Sequence, residues 1–569
     1  MIIDQVPQRI VPAPCNDEAP LLDMRGLRIE ARSGEAWHVI VHGLDLTLRR
    51  GEVLGLIGES GAGKSTIGLA AMGHARPGCR FAGGSILFSG RDLLREPAAG
   101  RRALRGTRIA YVAQSAAAAF NPAHRLIDQV VETAVERGGR SRVDAMADAK
   151  DLFRRLSLPE PETIGLRYPH EVSGGQLQRV MTAMAMVCRP DLIIFDEPTT
   201  ALDVTTQVEV LAAIRSVVED FHTAALYITH DLAVVAQLAH RIMVLRHGRL
   251  VEEAPTRTML EAPCEDYTRS LWAVRTLEKP AEPEAPCLLQ MEQVGAAYGA
   301  RRVLDDISIR IERGRTVAVV GESGSGKSTL ARVITGLLPP VAGAIVFAGE
   351  PLPAQTQKRS KAQLRRIQMI YQSPDAALNP RHTVREVIGR PLEFYGGLKG
   401  REREVRTLAL LDMIEMSATH LDRLPSELSG GQKQRICIAR ALAAEPELMI
   451  CDEVTSALDQ IVQAGILKLL RQLQTELSLS YLFITHDIAT VKAIADRIVV
   501  MHRGKIVEQG DKREILAPPH PAYTELLLSS VPGLDPDWLT RLLAERERDG
   551  GTHATSWPDR LPKTGNRHV

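Results

Sequence analysis

Two stretches of this chain have the residue types needed to grip phosphate. One reads Gly58-Glu59-Ser60-Gly61-Ala62-Gly63-Lys64-Ser65-Thr66. The other runs from Gly321 through Gly324, Gly326, Lys327 and Ser328 to Thr329. Closely spaced glycines let successive backbone N–H groups turn inward around phosphate oxygens. A helix starting at the lysine offers the same oxygens its positive end. Lys64 and Lys327 then reach the β- and γ-phosphates of a nucleotide, and Ser65 and Ser328 ligate Mg²⁺. Adjacent acids add a second kind of chemistry. Asp196 and Asp452 are placed to hold Mg²⁺ through water, and Glu197 and Glu453 to polarise an attacking water.

These groups recur because the chain repeats itself. The glycine-rich loops lie 263 residues apart (321 − 58) and the glutamates 256 apart (453 − 197). The SGGQ segments at Ser173 and Ser429, and the THD segments holding His230 and His486, also lie 256 apart. One order at nearly one offset means duplication of a domain-sized unit, not an array of short repeats.

Short apolar runs precede each chemical group. EVLGLIG (52–58) and TVAVVG (316–321) end in glycine, and DLIIFDE (191–197) and ELMICDE (447–453) end in acids. ALYITHD (225–231) and YLFITHD (481–487) end in His-Asp. Runs of this kind suit strands buried on both faces of a largely parallel sheet, with ligands bound beyond their C-terminal ends. Residues of about 115–172 and 373–428 read as mostly helical. The predicted class is therefore α/β, with a helical subdomain in each half. The expected division is a flexible N-terminus (1–20), a first cassette (21–277), a linker (278–287), a second cassette (288–530) and a partly disordered tail (531–569). The linker, EKPAEPEAPC, has the composition of an exposed connector.

The bulk composition is that of an ordinary globular protein. Lys+Arg (70) nearly balances Asp+Glu (69), so overall charge gives no argument for a nucleic-acid partner. The seven cysteines are scattered without metal-ligand spacing. No apolar run reaches the roughly 20 residues that span a bilayer, and the N-terminus does not read as a signal peptide.

Taken together, these motifs resemble the nucleotide-binding subunits of ABC transporters over almost the whole chain. The resemblance implies ATP and Mg²⁺ as ligands and two P-loop cassettes with RecA-like cores and C-terminal helical extensions. Ser173, Gly174, Gly175 and Gln176, with Ser429, Gly430, Gly431 and Gln432, match the family's signature sequence. In that family the signature contacts the γ-phosphate held by the opposite cassette. Ser173 would then complete the site of Lys327, and Ser429 that of Lys64, making a pseudo-dimer within one chain. Gln114 and Gln372 resemble the glutamine loop that links Mg²⁺ and water to the helical subdomain. His230 and His486 resemble the switch histidine, and Asp203 and Asp459 the loop that crosses the interface. Tyr298 is the expected adenine-stacking residue of the second half, with Trp37 the candidate in the first. Val454 departs from Pro198, but the carboxylate beside it is intact, so two competent sites are expected.

The segments after the cassettes narrow the assignment. APPHPAYTELLLSS (517–530) resembles the His-Pro-Tyr segment of peptide- and nickel-type importer ATPases, and APCEDYTRSLW (262–272) is a degraded copy. The implied function is ATP hydrolysis powering import, at the cytoplasmic face of the membrane. The implied partners are two transmembrane permease subunits and, indirectly, an extracytoplasmic solute-binding protein. The alternative is a ribosome-acting ABC-F protein, whose long charged linker is absent here. Replacing both Glu197 and Glu453 by glutamine should leave ATP binding intact while nearly abolishing turnover in a steady-state ATPase assay.

Overall fold

The apolar runs become the centres of two matching sheets. The structure is a computed structural model describing residues 19–200, 202–271, 277–280, 285–456 and 458–548. In the first half the sheet order is Arg249–Pro255, Arg241–Arg246, Val53–Gly58, Ala224–Ile228, Leu192–Asp196, Ile109–Val112. All neighbours are parallel except the first pair. Val53–Gly58, Leu192–Asp196 and Ala224–Ile228 are buried at every residue. Both faces of the sheet are covered, one by helices and the other by helix Lys64–Ala71 and a second sheet, so its strands read as unbroken apolar runs rather than alternating ones. The second half repeats the order with Lys505–Asp511, Arg497–His502, Thr316–Val320, Ser480–Ile484, Leu448–Asp452 and Ile367–Ile370.

Each half also carries a four-stranded antiparallel sheet that the motifs do not announce. In the first half its order is Ala36–Leu48, Leu22–Ser33, Cys79–Phe88, Arg91–Asp92. Leu22, Met24, Leu27 and Ile29 of this sheet share a core with Leu54, Leu56 and Ile194 of the parallel sheet. The helical subdomain of the first half contains Leu126–Glu136 and Arg142–Arg155. Its counterpart contains Val384–Gly396 and Gly400–Met413.

The connections between the halves are more tightly held than their composition suggests. Within the expected linker, Lys279 is only 4% exposed. Its ammonium donates to Asp496 Oδ2 at 2.6 Å and Gln474 Oε1 at 2.7 Å, while Lys512 Nζ donates to the Lys279 carbonyl at 2.7 Å. Burying an ammonium is costly unless it is paired. The pairing acid lies more than 200 residues away in sequence, so composition could not reveal it. Residues 281–284 of the linker lie outside the described residues, as do residues 1–18 of the expected flexible N-terminus.

The end of the chain returns to the first half. Helix Trp538–Arg548 buries Leu539 and Leu542 in the first cassette's core. Gln237 clasps the approach: its Nε2 donates to Gly533 O (2.9 Å) and Asp535 O (3.0 Å), and its Oε1 accepts from the Leu539 N–H (3.1 Å). Arg257 pairs with Asp537 at 2.7 Å. Residues 533–548 of the expected tail thus lie against the first cassette, while Val531 packs against the second, and 549–569 are outside the described residues. Changing Leu539 and Leu542 to aspartate should release the helix. Limited trypsin digestion should then cut at Arg541 and Arg546 faster than in the parent chain.

Candidate functional site

Both glycine-rich loops sit between the end of a buried strand and the start of a helix. Gly63 and Gly326 cap helices Lys64–Ala71 and Lys327–Ile334 with φ of 93° and 106°, a region favouring glycine. At Gly58 an added Cβ would lie 2.1 Å from the Leu245 carbonyl oxygen. Each lysine is buried and folded back onto its own loop. Lys64 Nζ donates to Gly58 O (2.6 Å) and Glu59 O (2.9 Å), and Lys327 Nζ donates to Gly321 O and Glu322 O, both at 2.7 Å. Burial pulls both ammonium groups below their usual pKa. Ser65 Oγ donates to Asp196 Oδ1 at 2.9 Å and Ser328 Oγ to Asp452 Oδ1 at 3.1 Å. Thr66 and Thr329 follow on the first helical turn.

The glutamates are turned toward these loops by a strained backbone. Glu197 and Glu453 have φ of 51° and 50°, a left-handed conformation that non-glycine residues seldom adopt. Their N–H groups donate to Ile228 O and Ile484 O of the neighbouring strand, both at 2.9 Å. Gln114 Nε2 donates to Glu197 Oε2 at 2.8 Å, and Gln372 Nε2 to Glu453 Oε2 at 2.7 Å. His230 Nδ1 lies 3.2 Å from Glu197 Oε1, and His486 Nδ1 lies 3.5 Å from Glu453 Oε1. Burial alone would raise the carboxyl pKa values. The facing histidine and the loop lysine outweigh it and hold both glutamates below their usual range. Conversely, burial opposes charging of the histidines, but the glutamates raise both above 6.5.

The two halves meet face to face. The cavity at the second glycine loop, of about 750 Å³, is walled by Lys327, Ser328, Gln372, Glu453 and His486. Thr200, Leu202 and Asp203 of the other half complete it. Gly430 and Gln434 of the same half line it, whereas Ser173 does not. Ser173 and Ser429 instead sit exposed as N-caps of helices Gly174–Met186 and Gly430–Leu442. Each serine Oγ accepts from the N–H of Gln176 or Gln432, whose side chain accepts in return from the serine N–H. Gly175 and Gly431 abut Thr206 and Val462, where a Cβ would clash at 2.0 and 2.4 Å. Contacts across the interface include Ser60 N–H to Asp459 Oδ2 (3.4 Å), Thr205 Oγ1 to Glu322 Oε1 (3.0 Å) and Gln460 Nε2 to Asp231 Oδ1 (3.3 Å).

Comparison with known proteins agrees with this geometry. The model of the ABC transporter family matches residues 41–200 and 304–456. The chain belongs to the ABC transporter family. Residues 507–554 also match the C-terminal region of oligopeptide/dipeptide transporters. Over 569 residues the chain is 36% identical to the glutathione import ATP-binding protein GsiA of Escherichia coli (strain K12), covering 91% of each. Against the protein of that name from Shigella dysenteriae serotype 1, identity is 35% with the same coverage. Among solved structures, an archaeal ribosome recycling factor in complex with a ribosomal stalk protein matches with a TM-score of 0.59. It covers 85% of this chain and 90% of that one at 22% identity, which speaks for the fold alone. This ABC chain is an ATPase, the energy-coupling subunit of an importer of the oligopeptide/dipeptide group.

Within this ABC architecture the two sites differ in ways the motifs did not announce. Tyr111 Oη donates to Asp196 Oδ2 at 2.5 Å, whereas the residue three before Gln372 is Met369, which cannot. Thr200 Oγ1 donates to the Glu197 carboxylate at 3.1 Å, whereas Ser456 Oγ donates to the Glu453 backbone carbonyl at 3.0 Å. Tyr298 is exposed at the end of its strand, its hydroxyl accepting from Arg332 at 3.0 Å. It pairs across the hairpin with Arg301. In the first half, the corresponding pair is Ala31 with His38. Trp37 lies one step nearer the turn, beneath the Arg80 guanidinium at 4.2 Å. Its register position is thus not that of Tyr298, because the first hairpin is longer.

The histidine–glutamate pairs carry a pH signature. A histidine pKa raised on folding adds stability that is fully present below about 6.5 and is lost as pH rises through the higher folded value. The lowered glutamate pKa adds stability above about 4.5 that is lost as pH falls through the folded value. In NMR titrations His230 and His486 should therefore titrate above 6.5. Glu197→Gln should lower the His230 pKa and leave that of His486 nearly unchanged.

Proposed function

We propose that ATP binding draws the two cassettes together until each signature serine reaches the nucleotide on the opposite glycine loop. The observation that carries this reading is the cavity in which Lys327, Glu453 and His486 of one half face Asp203 of the other. Lys64 and Lys327 exchange their backbone carbonyl partners for the β- and γ-phosphates. Tyr298 stacks on the adenine in the second site. Glu197 and Glu453, held ionised by their surroundings, polarise the attacking water, and His230 and His486 meet the γ-phosphate. Ser65, Asp196 and Gln114, with Ser328, Asp452 and Gln372, form all-oxygen donor sets that suit Mg²⁺ shared with phosphate oxygens. Bound there, Mg²⁺ would neutralise charge developing on the phosphates.

Gln114 and Gln372 stand where each helical subdomain begins, so their contacts with Glu197 and Glu453 tie subdomain position to the state of the site. Closure then moves the subdomains, and they move two transmembrane permease subunits at the cytoplasmic face of the membrane. An extracytoplasmic solute-binding protein delivers the cargo. Among the described residues no helix is long and apolar enough to cross a membrane. The relatives named for glutathione import favour a small peptide or peptide-like solute as cargo. Affinity purification of the tagged chain from gently solubilised membranes should recover two permease-like membrane proteins. Recovery of ribosomal proteins with no membrane partner would replace the importer reading by a soluble ribosome-acting one.

A further inference from the structure

The segments that succeed the two cassettes share little with each other. At matching positions His520, Pro521 and Ala522 face Cys264, Glu265 and Asp266, but Tyr523 matches Tyr267 and Thr524 matches Thr268. The shared tyrosine is the residue that touches the nucleotide loop. Tyr523 Oη accepts from the Glu322 N–H at 3.0 Å, and Tyr267 Oη accepts from the Glu59 N–H at 3.3 Å. Each ring rests on the last residue of the same strand. Tyr523 stacks on His502 with centroids 4.1 Å apart, and the Arg246 guanidinium lies 4.7 Å from the centre of Tyr267. Burial keeps both phenols protonated, raising Tyr267 to about 12 and Tyr523 further.

The bonded N–H belongs to a particular peptide group. The carbonyl of the Gly321–Glu322 peptide accepts from Lys327 Nζ at 2.7 Å, and its N–H goes to Tyr523. The Gly58–Glu59 peptide is held in the same way between Lys64 Nζ at 2.6 Å and Tyr267. When the lysine turns to phosphate, the carbonyl side of this clamp opens and the tyrosine remains. The same turn meets the opposite cassette. Glu322 Oε1 accepts from Thr205, and the Ser60 N–H donates to Asp459.

We propose that Tyr267 and Tyr523 are positioning residues that fix the first peptide of each glycine loop. They set the loop for phosphate and for the opposite cassette's Asp-containing turn, so that the C-terminal segment acts directly on the nucleotide site. This rests on the ATPase reading of the chain, which the parent protein tests in the same experiment. The variants are Tyr267→Phe, Tyr523→Phe and both together, in the full-length chain. Phenylalanine keeps the packed ring and removes only the oxygen. The loss of one hydrogen bond to a partly buried N–H corresponds to about threefold to tenfold in affinity.

Equilibrium titration with a fluorescent ATP analogue and Mg²⁺ should show Kd raised by about that factor in each variant. KM for ATP should rise in parallel, with kcat within about twofold of the parent. Hydrogen exchange followed by mass spectrometry supplies a readout independent of activity. Peptides spanning Gly58–Glu59 or Gly321–Glu322 should exchange faster in the corresponding variant, with the rest of the chain unchanged. Parent-like Kd and loop exchange in the phenylalanine variants would overturn the proposal, as would a fall in kcat at unchanged KM. Failure of the parent itself to bind ATP would instead overturn the ATPase reading.

Discussion

Lys64 and Lys327 are buried cations held by backbone carbonyl oxygens, and among the described residues neither ion-pairs with a carboxylate. A cation in that position is under-compensated, and burial already lowers its pKa. An anion arriving at the loop relieves that condition, since it meets the ammonium, a fan of N–H groups and a helix N-terminus together. The rest of each cassette serves to hold this arrangement in place. The glycines allow the close turn, the parallel strands supply its rigid edge, and the serine–aspartate hydrogen bond ties loop to acid.

The same economy of contacts explains why two cassettes occupy one chain. The first half lends Thr200, Leu202 and Asp203 to the wall of the second half's cavity, so that site is not enclosed by its own half alone. Covalent connection raises the effective concentration of the partner. The returning helix Trp538–Arg548, with Leu539 and Leu542 in the first cassette's core, holds the halves together beyond that. Duplication has not kept the sites identical. Tyr111 bonds the first-site aspartate where the second half has Met369, and Thr200 and Ser456 direct their hydroxyls to different atoms. Such differences bear on the stability and orientation of each acid.

Much of the site was legible in the sequence because its parts are local. A glycine loop, an acidic pair at a strand end and a serine before two glycines each occupy a few consecutive residues, and their geometry follows from short-range backbone sterics and hydrogen bonding. The alternation of apolar runs with helical stretches marked the parallel sheets and the helical subdomains. The antiparallel sheet of each half was less visible. Its residues carry no chemical motif, and strands such as Leu22–Ser33 bury only part of their length. The first hairpin differs in length from the second, and only strand register shows Ala31 standing opposite His38 and Trp37 opposite Arg32.

By itself the sequence determined the duplication, the ATPase chemistry and the candidate residues for it, since these depend on residue type and spacing within short segments. The tertiary structure decided what depends on partners far apart in the chain. It buried Lys279 against Asp496, brought Leu539 and Leu542 back to the first cassette, and set the Tyr267 and Tyr523 hydroxyls against the loop peptides. It also decided which residues of one half face the other. A hydrogen bond or a buried contact needs two groups within a few ångströms, and no local pattern encodes the second group when more than 200 residues separate them.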